Sequence, residues 1–115
     1  MEVPGKIKWS DFEKIDIRVG TIIQAEAFPE ARIPAYKLII DFGNEIGKKT
    51  SSAQITQYYK VEDLENVQVI AVVNFEPKQI GNFISECLVL GIYEEEKNVV
   101  LLQPQHKVQN GLKIG

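Results

Sequence analysis

The side chains best suited to chemistry lie between two apolar runs, in the stretch VVNFEPKQIGNFISECLVLG at residues 72–91. Asn74 offers an amide that both donates and accepts, Lys78 a cation and Ser85 a hydroxyl, which are groups for non-covalent recognition. Pro77 fixes its own φ, has no N–H to donate and biases Glu76 away from helix, while Gly81 permits a turn that few residues accept. The stretch reads as a shaped loop. Its competing role is simply to reverse the chain, as Asn, Pro and Gly between strands often do.

Covalent chemistry has little to work with. His106 is the only histidine, no second His or Cys stands at metal-ligand spacing, and no glycine loop of the phosphate-cradling kind occurs. Asp41, Glu45, Glu62 and Asp63 supply carboxylates without any sequence sign of a paired acid and base. Cys87 is the single cysteine and sits in an apolar run, so a buried thiol is expected and an internal disulfide is excluded. The expectation is a non-catalytic binding protein with no metal and no cofactor.

The elements that must position these groups are short strands. Val67, Val69, Ala71 and Val73 alternate along one run, Cys87 to Ile92 forms a second, and Tyr36, Leu38, Ile40 and Phe42 repeat the period of two. Ile15, Ile17, Val19, Thr21, Ile23 and Ala25 share one strand face, with Asp16, Arg18, Gly20, Ile22 and Gln24 opposite. Gly20 is placed for a close approach or sharp coiling. Lys48 to Ser51 and Asn98 to Leu102 complete the strands, with Glu94-Glu95-Glu96 at a solvated hairpin tip or an acidic docking site. Ser10 and Glu13 resemble a capping box for a helical turn over Asp11 to Lys14, and Ser52 can cap a short helix containing Ala53, Ile55 and Tyr58 or Tyr59. The pattern predicts a small all-β barrel over residues 1–115, one domain of 115 residues with 44% hydrophobic content.

Several of these stretches resemble one family. FEKIDIRVGTI at residues 12–22, YKLIIDFG at 36–43, and Asn74, Pro77, Ile80, Ser85 and Leu88 in an N-x-x-P-x-x-I-x-x-x-x-S-x-x-L order resemble the structure-specific tRNA-binding domain. That domain is a five-stranded OB-fold module appended to methionyl- and bacterial phenylalanyl-tRNA synthetases and also found free-standing. ARIPAYKLIIDFG, EIGKKTSSAQIT and NFEPKQIGNFISECLVLG are most similar to the free-standing CsaA type, described as export-related chaperones. The resemblance implies an OB-fold homodimer that binds non-native or export-bound polypeptides, with the protein-export machinery as a further partner and with tRNA-binding capacity. The alternative it implies is a structure-specific binder of folded tRNA. One departure stands out: Glu86 occupies a place where synthetase-appended members carry an amide, and an acidic group near phosphate costs affinity.

Charge bears on both readings. Thirteen basic against sixteen acidic residues give a formal charge of −3, so any RNA site depends on local potential rather than on the whole molecule. Arg32, Lys37, Lys49, Asn74, Lys78 and Ser85 are the candidate RNA contacts; Lys37 alternates away from the core face of its strand, and Lys48 and Lys49 point to opposite sides. Asn74 could instead orient its loop. Arg18, two residues from Asp16 on one strand face, suits an ion pair at least as well as a phosphate. For polypeptides the candidates are Phe28, Ile33, Pro34 and Tyr36 in a proline-restricted apolar loop, with core packing as the competing role. Ile7, Trp9 and Phe12, together with Val108, Leu112 and Ile114, either cap the barrel or join a two-fold interface. No apolar run approaches the ~20 residues needed to span a bilayer, and MEVPGKIKW lacks the h-region of a secretory leader, so no membrane insertion and a cytoplasmic location are expected.

Overall fold

A computed structural model describes residues 5–115; the first four residues of the MEVPGKIKW stretch lie outside the described residues. The chain order is α1 (Trp9–Glu13), β1 (Ile17–Ala27), β2 (Tyr36–Asp41), β3 (Lys48–Ala53), α2 (Val61–Leu64), β4 (Gln68–Val72), β5 (Lys78–Ile80), β6 (Phe83–Ser85), β7 (Leu88–Val89), β8 (Gly91–Tyr93) and β9 (Val99–Leu101). One antiparallel sheet runs β3-β2-β1-β4-β7 and curls until its edges nearly meet; β5-β6 and β8-β9 are separate hairpins. This is the five-stranded OB-fold barrel expected from the sequence. No helix among the described residues is long and apolar enough to cross a membrane.

The alternation read in β2 and β4 holds. Leu38, Ile40 and Phe42 enter the core from the β2 side and Val69 and Ala71 from β4, all essentially sealed from solvent, with Ile22, Leu64 and Cys87 beside them. Gly20 also faces this core, where a Cβ would fall 2.6 Å from Ile40 Cγ2 and 2.7 Å from Phe42 Cδ1. Only a residue without a side chain lets β1 coil so tightly there.

Five local expectations are corrected. The two-faced reading of β1 fails at Ile23, because the register slips between Ile22 and Gln24 as β1 pairs with β2. This bulge adds one residue, so Ile22 and Ala25 are both buried while Ile23 is exposed. Ser52 does not cap a helix: β3 continues through Ala53, since Ser51 and Ala53 are both buried in the core, and the helix comes later, at Val61–Leu64. Helix α1 is closed not by Ser10 and Glu13 but by Lys8 and Asp11, whose carboxylate accepts the Lys8 N–H at 3.0 Å. The expected loop at 74–85 contains the β5-β6 hairpin, turned at Gly81 with φ +60. The Cys87 to Ile92 run is likewise two strands, for β7 joins β4 and β8 joins β9.

Candidate nucleic-acid interface

Neighbouring strands bring one polar row together on the outer face. Glu26 on β1 pairs with Lys37 on β2, Lys37 pairs with Ser52 on β3, and Lys78 on β5 pairs with Ser85 on β6. The link between these pairs is the Ser52 N–H, which donates to Ser85 Oγ at 3.1 Å. The Lys37 ammonium lies 5.2 Å from the Phe28 ring centre and 5.9 Å from that of Phe83, and 3.7 Å from Glu26 Oε1. Phe28 and Phe83 meet edge to face at 5.5 Å. Two aromatic faces thus hold a cation whose stem is partly covered, while Lys78 is exposed.

The β1–β2 connection adds to this face. Ala27, Phe28, Arg32, Pro34, Tyr36 and Thr56 are among the residues lining a shallow depression there. Arg32, Ile33 and Pro34 are exposed, Ile33 at 57%. Of the four peptide candidates, Phe28 is buried and Tyr36 is committed through its hydroxyl, which donates to the Tyr59 carbonyl at 2.7 Å. Ile33 and Pro34 are the two that solvent reaches freely.

Not every candidate joins the row. Lys49 pairs with the buried Ile40 and so points to the opposite face from Lys48, half-covered and close enough to Glu86 and Cys87 to act on both electrostatically. Asn74 lies at the other end of β1: its Nδ2 donates to the Lys14 carbonyl at 2.8 Å and its Oδ1 accepts the Asp16 N–H at 2.9 Å. The amide orients the chain entering β1. Arg18 makes the ion pair weighed for it, Nε to Asp16 Oδ1 at 2.6 Å, and also donates to the Gly111 carbonyl at 3.0 Å; Asp16 stabilises its protonated form.

Behind the row, the barrel closes in an unusual way. The β3 edge that faces away from β2 has N–H groups at Thr50 and Ser52, and both find side-chain acceptors in residues 85–86. Thr50 N–H donates to Glu86 Oε1 at 3.0 Å, the Glu86 N–H returns a bond to the Thr50 carbonyl at 2.8 Å, and Ser52 N–H takes Ser85 Oγ. The Thr50 hydroxyl lies 2.6 Å from the Ile84 carbonyl and 2.9 Å from Glu86 Oε1, while Ser51 Oγ donates to the Cys87 carbonyl at 2.9 Å. The backbone bond from Thr50 holds the Glu86 carboxyl below the usual carboxylate range, and burial pushes the Cys87 thiol up to about 12. Sequence reading missed Thr50 and Phe83 and gave Ser52 a different role; the hydroxyl-rich TSS at 50–52 was the available signal for Thr50 and Ser52.

The apolar termini separate into two groups. Ile7, Trp9 and Phe12 line a common groove with Lys8 and Gly115, the Trp9 and Phe12 rings 5.5 Å apart, and Ile7 and Trp9 are 75% and 69% exposed. Residues 111–114 run along β1: Val19 N–H donates to the Leu112 carbonyl at 3.1 Å and Ile114 N–H to the Ile17 carbonyl at 2.9 Å. Val108 lies elsewhere, its backbone bonded at both N–H and carbonyl to the Gln68 amide on β4.

With this geometry in view, the family model described as "Putative tRNA binding domain" matches residues 17–113. The chain belongs to that family. It is 52% identical to the chaperone CsaA of Bacillus anthracis str. Ames, covering 96% of this chain and 100% of that one with a TM-score of 0.91. The CsaA chaperone protein of Picrophilus torridus is 55% identical at the same coverage, with a TM-score of 0.90. A methionine–tRNA ligase of Pyrococcus horikoshii is 38% identical over 94% of this chain, which spans only 14% of that ligase.

Proposed function

We propose that this protein is a non-catalytic binder of structured RNA, of the tRNA class, acting through the outer face of β2, β3, β5 and β6. The observation that carries the reading is the row Lys37–Ser52–Ser85–Lys78, flanked by Arg32, on the strand 2–3 surface that OB-folds commonly use for oligonucleotides. Cations there meet phosphate, and the Phe83 ring offers a stacking surface for an unpaired base. Such a ligand puts the activity in the cytoplasm. Titration with bulk tRNA across salt tests it: saturable binding is expected, with log K falling by roughly 0.7 to 0.9 per phosphate neutralised for each decade of salt. Absence of saturable binding at low salt sinks the reading.

A second reading, binding of non-native or export-bound polypeptides, is supported by the whole-length likeness to two CsaA chaperones and by the exposed Ile33 and Pro34 beside the depression. Ile33→Asp should then weaken protection of an aggregating client with little effect of salt. Protection equal to the wild type removes this groove from consideration. A homodimer through Ile7, Trp9 and Phe12 with Leu112 and Ile114 would present either surface twice and raise avidity. Sedimentation as a concentration-independent monomer at micromolar levels rules that assembly out.

A further inference from the structure

From the sequence alone, Glu86 reads as a charge that opposes phosphate. Its geometry gives it another role. One carboxylate oxygen accepts the Thr50 N–H at 3.0 Å and lies 2.9 Å from the Thr50 hydroxyl, and the Glu86 N–H donates back to the Thr50 carbonyl at 2.8 Å. The side chain thus stands in for the backbone carbonyl that a regular ladder would place opposite Thr50. One residue earlier, Ser85 accepts the Ser52 N–H, and Ser85 is paired with Lys78. Two side chains of the polar row, Ser85 and Lys78, therefore keep their places beside Ser52 and Lys37 while β6 stays docked on β3.

We propose that Glu86 is a positioning residue for the RNA face: its carboxylate clasps β6 and the β5-β6 hairpin to β3, setting Lys78 and Ser85 in register with Ser52 and Lys37. The inference rests on the RNA reading above. A carboxylate whose oxygen accepts the Thr50 N–H and lies beside the Thr50 hydroxyl presents less of its charge to an approaching phosphate than a free one, and Lys49 lies close enough to offset part of the remainder. The nearly equivalent side chain is glutamine, whose amide oxygen can accept the same Thr50 N–H.

Two substitutions separate clasp from charge, because both remove the charge and only one keeps the acceptor. Glu86→Gln is expected to bind tRNA as tightly as the wild type or more tightly. Glu86→Ala is expected to bind roughly fivefold more weakly, the factor that follows from losing one hydrogen-bonded anchor. Its salt dependence should fall by about one phosphate contact, as for Lys78→Ala. The double variant Glu86→Ala/Lys78→Ala should bind no more weakly than the worse single one, since the two act on one contact. Thermal melts establish that each variant is folded, and amide exchange at Thr50 should quicken in Glu86→Ala but not in Glu86→Gln. Tighter binding by Glu86→Ala, or full additivity with Lys78→Ala, overturns the proposal while the RNA reading stands. Failure of the wild type to bind tRNA takes down both.

Discussion

The β1–β4 junction and the β3 junction with residues 84–87 close the same barrel by different chemistry. Between β1 and β4, five consecutive residue pairs from Ile17↔Val72 to Thr21↔Gln68 form an uninterrupted ladder, with Val69 and Ala71 sealed beneath it. At the other junction, β3 forms no ladder with the strands packed on it, and Glu86, Ser85, Thr50 and Ser51 supply groups that a ladder would take from the backbone. Backbone ladders survive most substitutions because every residue but proline carries the same donor and acceptor. The side-chain junction depends on residue identity, and the candidate RNA face is built on it.

This contrast can be broken from the strong side first. Gly20→Val, which forces a side chain against Ile40 and Phe42, should destabilise the fold by about 1 to 3 kcal/mol or more, measured by urea unfolding. Leu38→Ala, a cavity in the same core, should cost about 2 to 5 kcal/mol. If either variant unfolds no sooner than Glu86→Ala, the laddered side is not the stronger one.

At the weaker junction the effects are smaller and more local. Ser85→Ala, which leaves the Ser52 N–H without its acceptor, should cost about 0.5 to 1.5 kcal/mol. Cys87 reports on opening, since its thiol is buried and held to about 12. Its reaction with a thiol reagent at pH 8 should be slow in the native protein and faster in both Ser85→Ala and Glu86→Ala. An unchanged rate would mean that the junction stays shut without these acceptors. The smallest effect is on pH dependence. Glu86 has its folded pKa lowered, so its contribution is present above the ordinary glutamate range and disappears as pH falls through the folded value. Unfolding midpoints followed downward in pH should therefore drop less steeply for Glu86→Gln than for the wild type.

The laddered side was legible in the sequence and the other was not, for one physical reason. Val67 to Val73 and Tyr36 to Phe42 announce themselves by alternation, a signal contained within each strand. The Ile23 bulge breaks that signal with no change of residue type, and nothing local distinguishes the extra residue from its neighbours. Ser52 resembles a helix cap because its strand-forming acceptor is Ser85, and Glu86 resembles a repelling charge because its donor is Thr50; both partners lie more than thirty residues away in the chain. Residue type foretold which groups were polar, which side of its strand Lys37 took, and that Lys48 and Lys49 take opposite sides. It did not foretell that Lys37, Ser52, Ser85 and Lys78 would form one row, or that Asn74 would be drawn to the far end of β1.

A junction written in side chains is also open to mutation in a way that a ladder is not. Single-base changes can turn a glutamate codon into glutamine, alanine, glycine, valine or lysine, so one substitution at residue 86 can tighten, loosen or electrostatically invert the barrel's closure. The neighbouring strands need not change. Selection acting on residues 85 and 86 alone could thus retune the shape and charge of the binding face while leaving the folding core undisturbed, which separates the evolution of what the molecule holds from the evolution of how it stays folded.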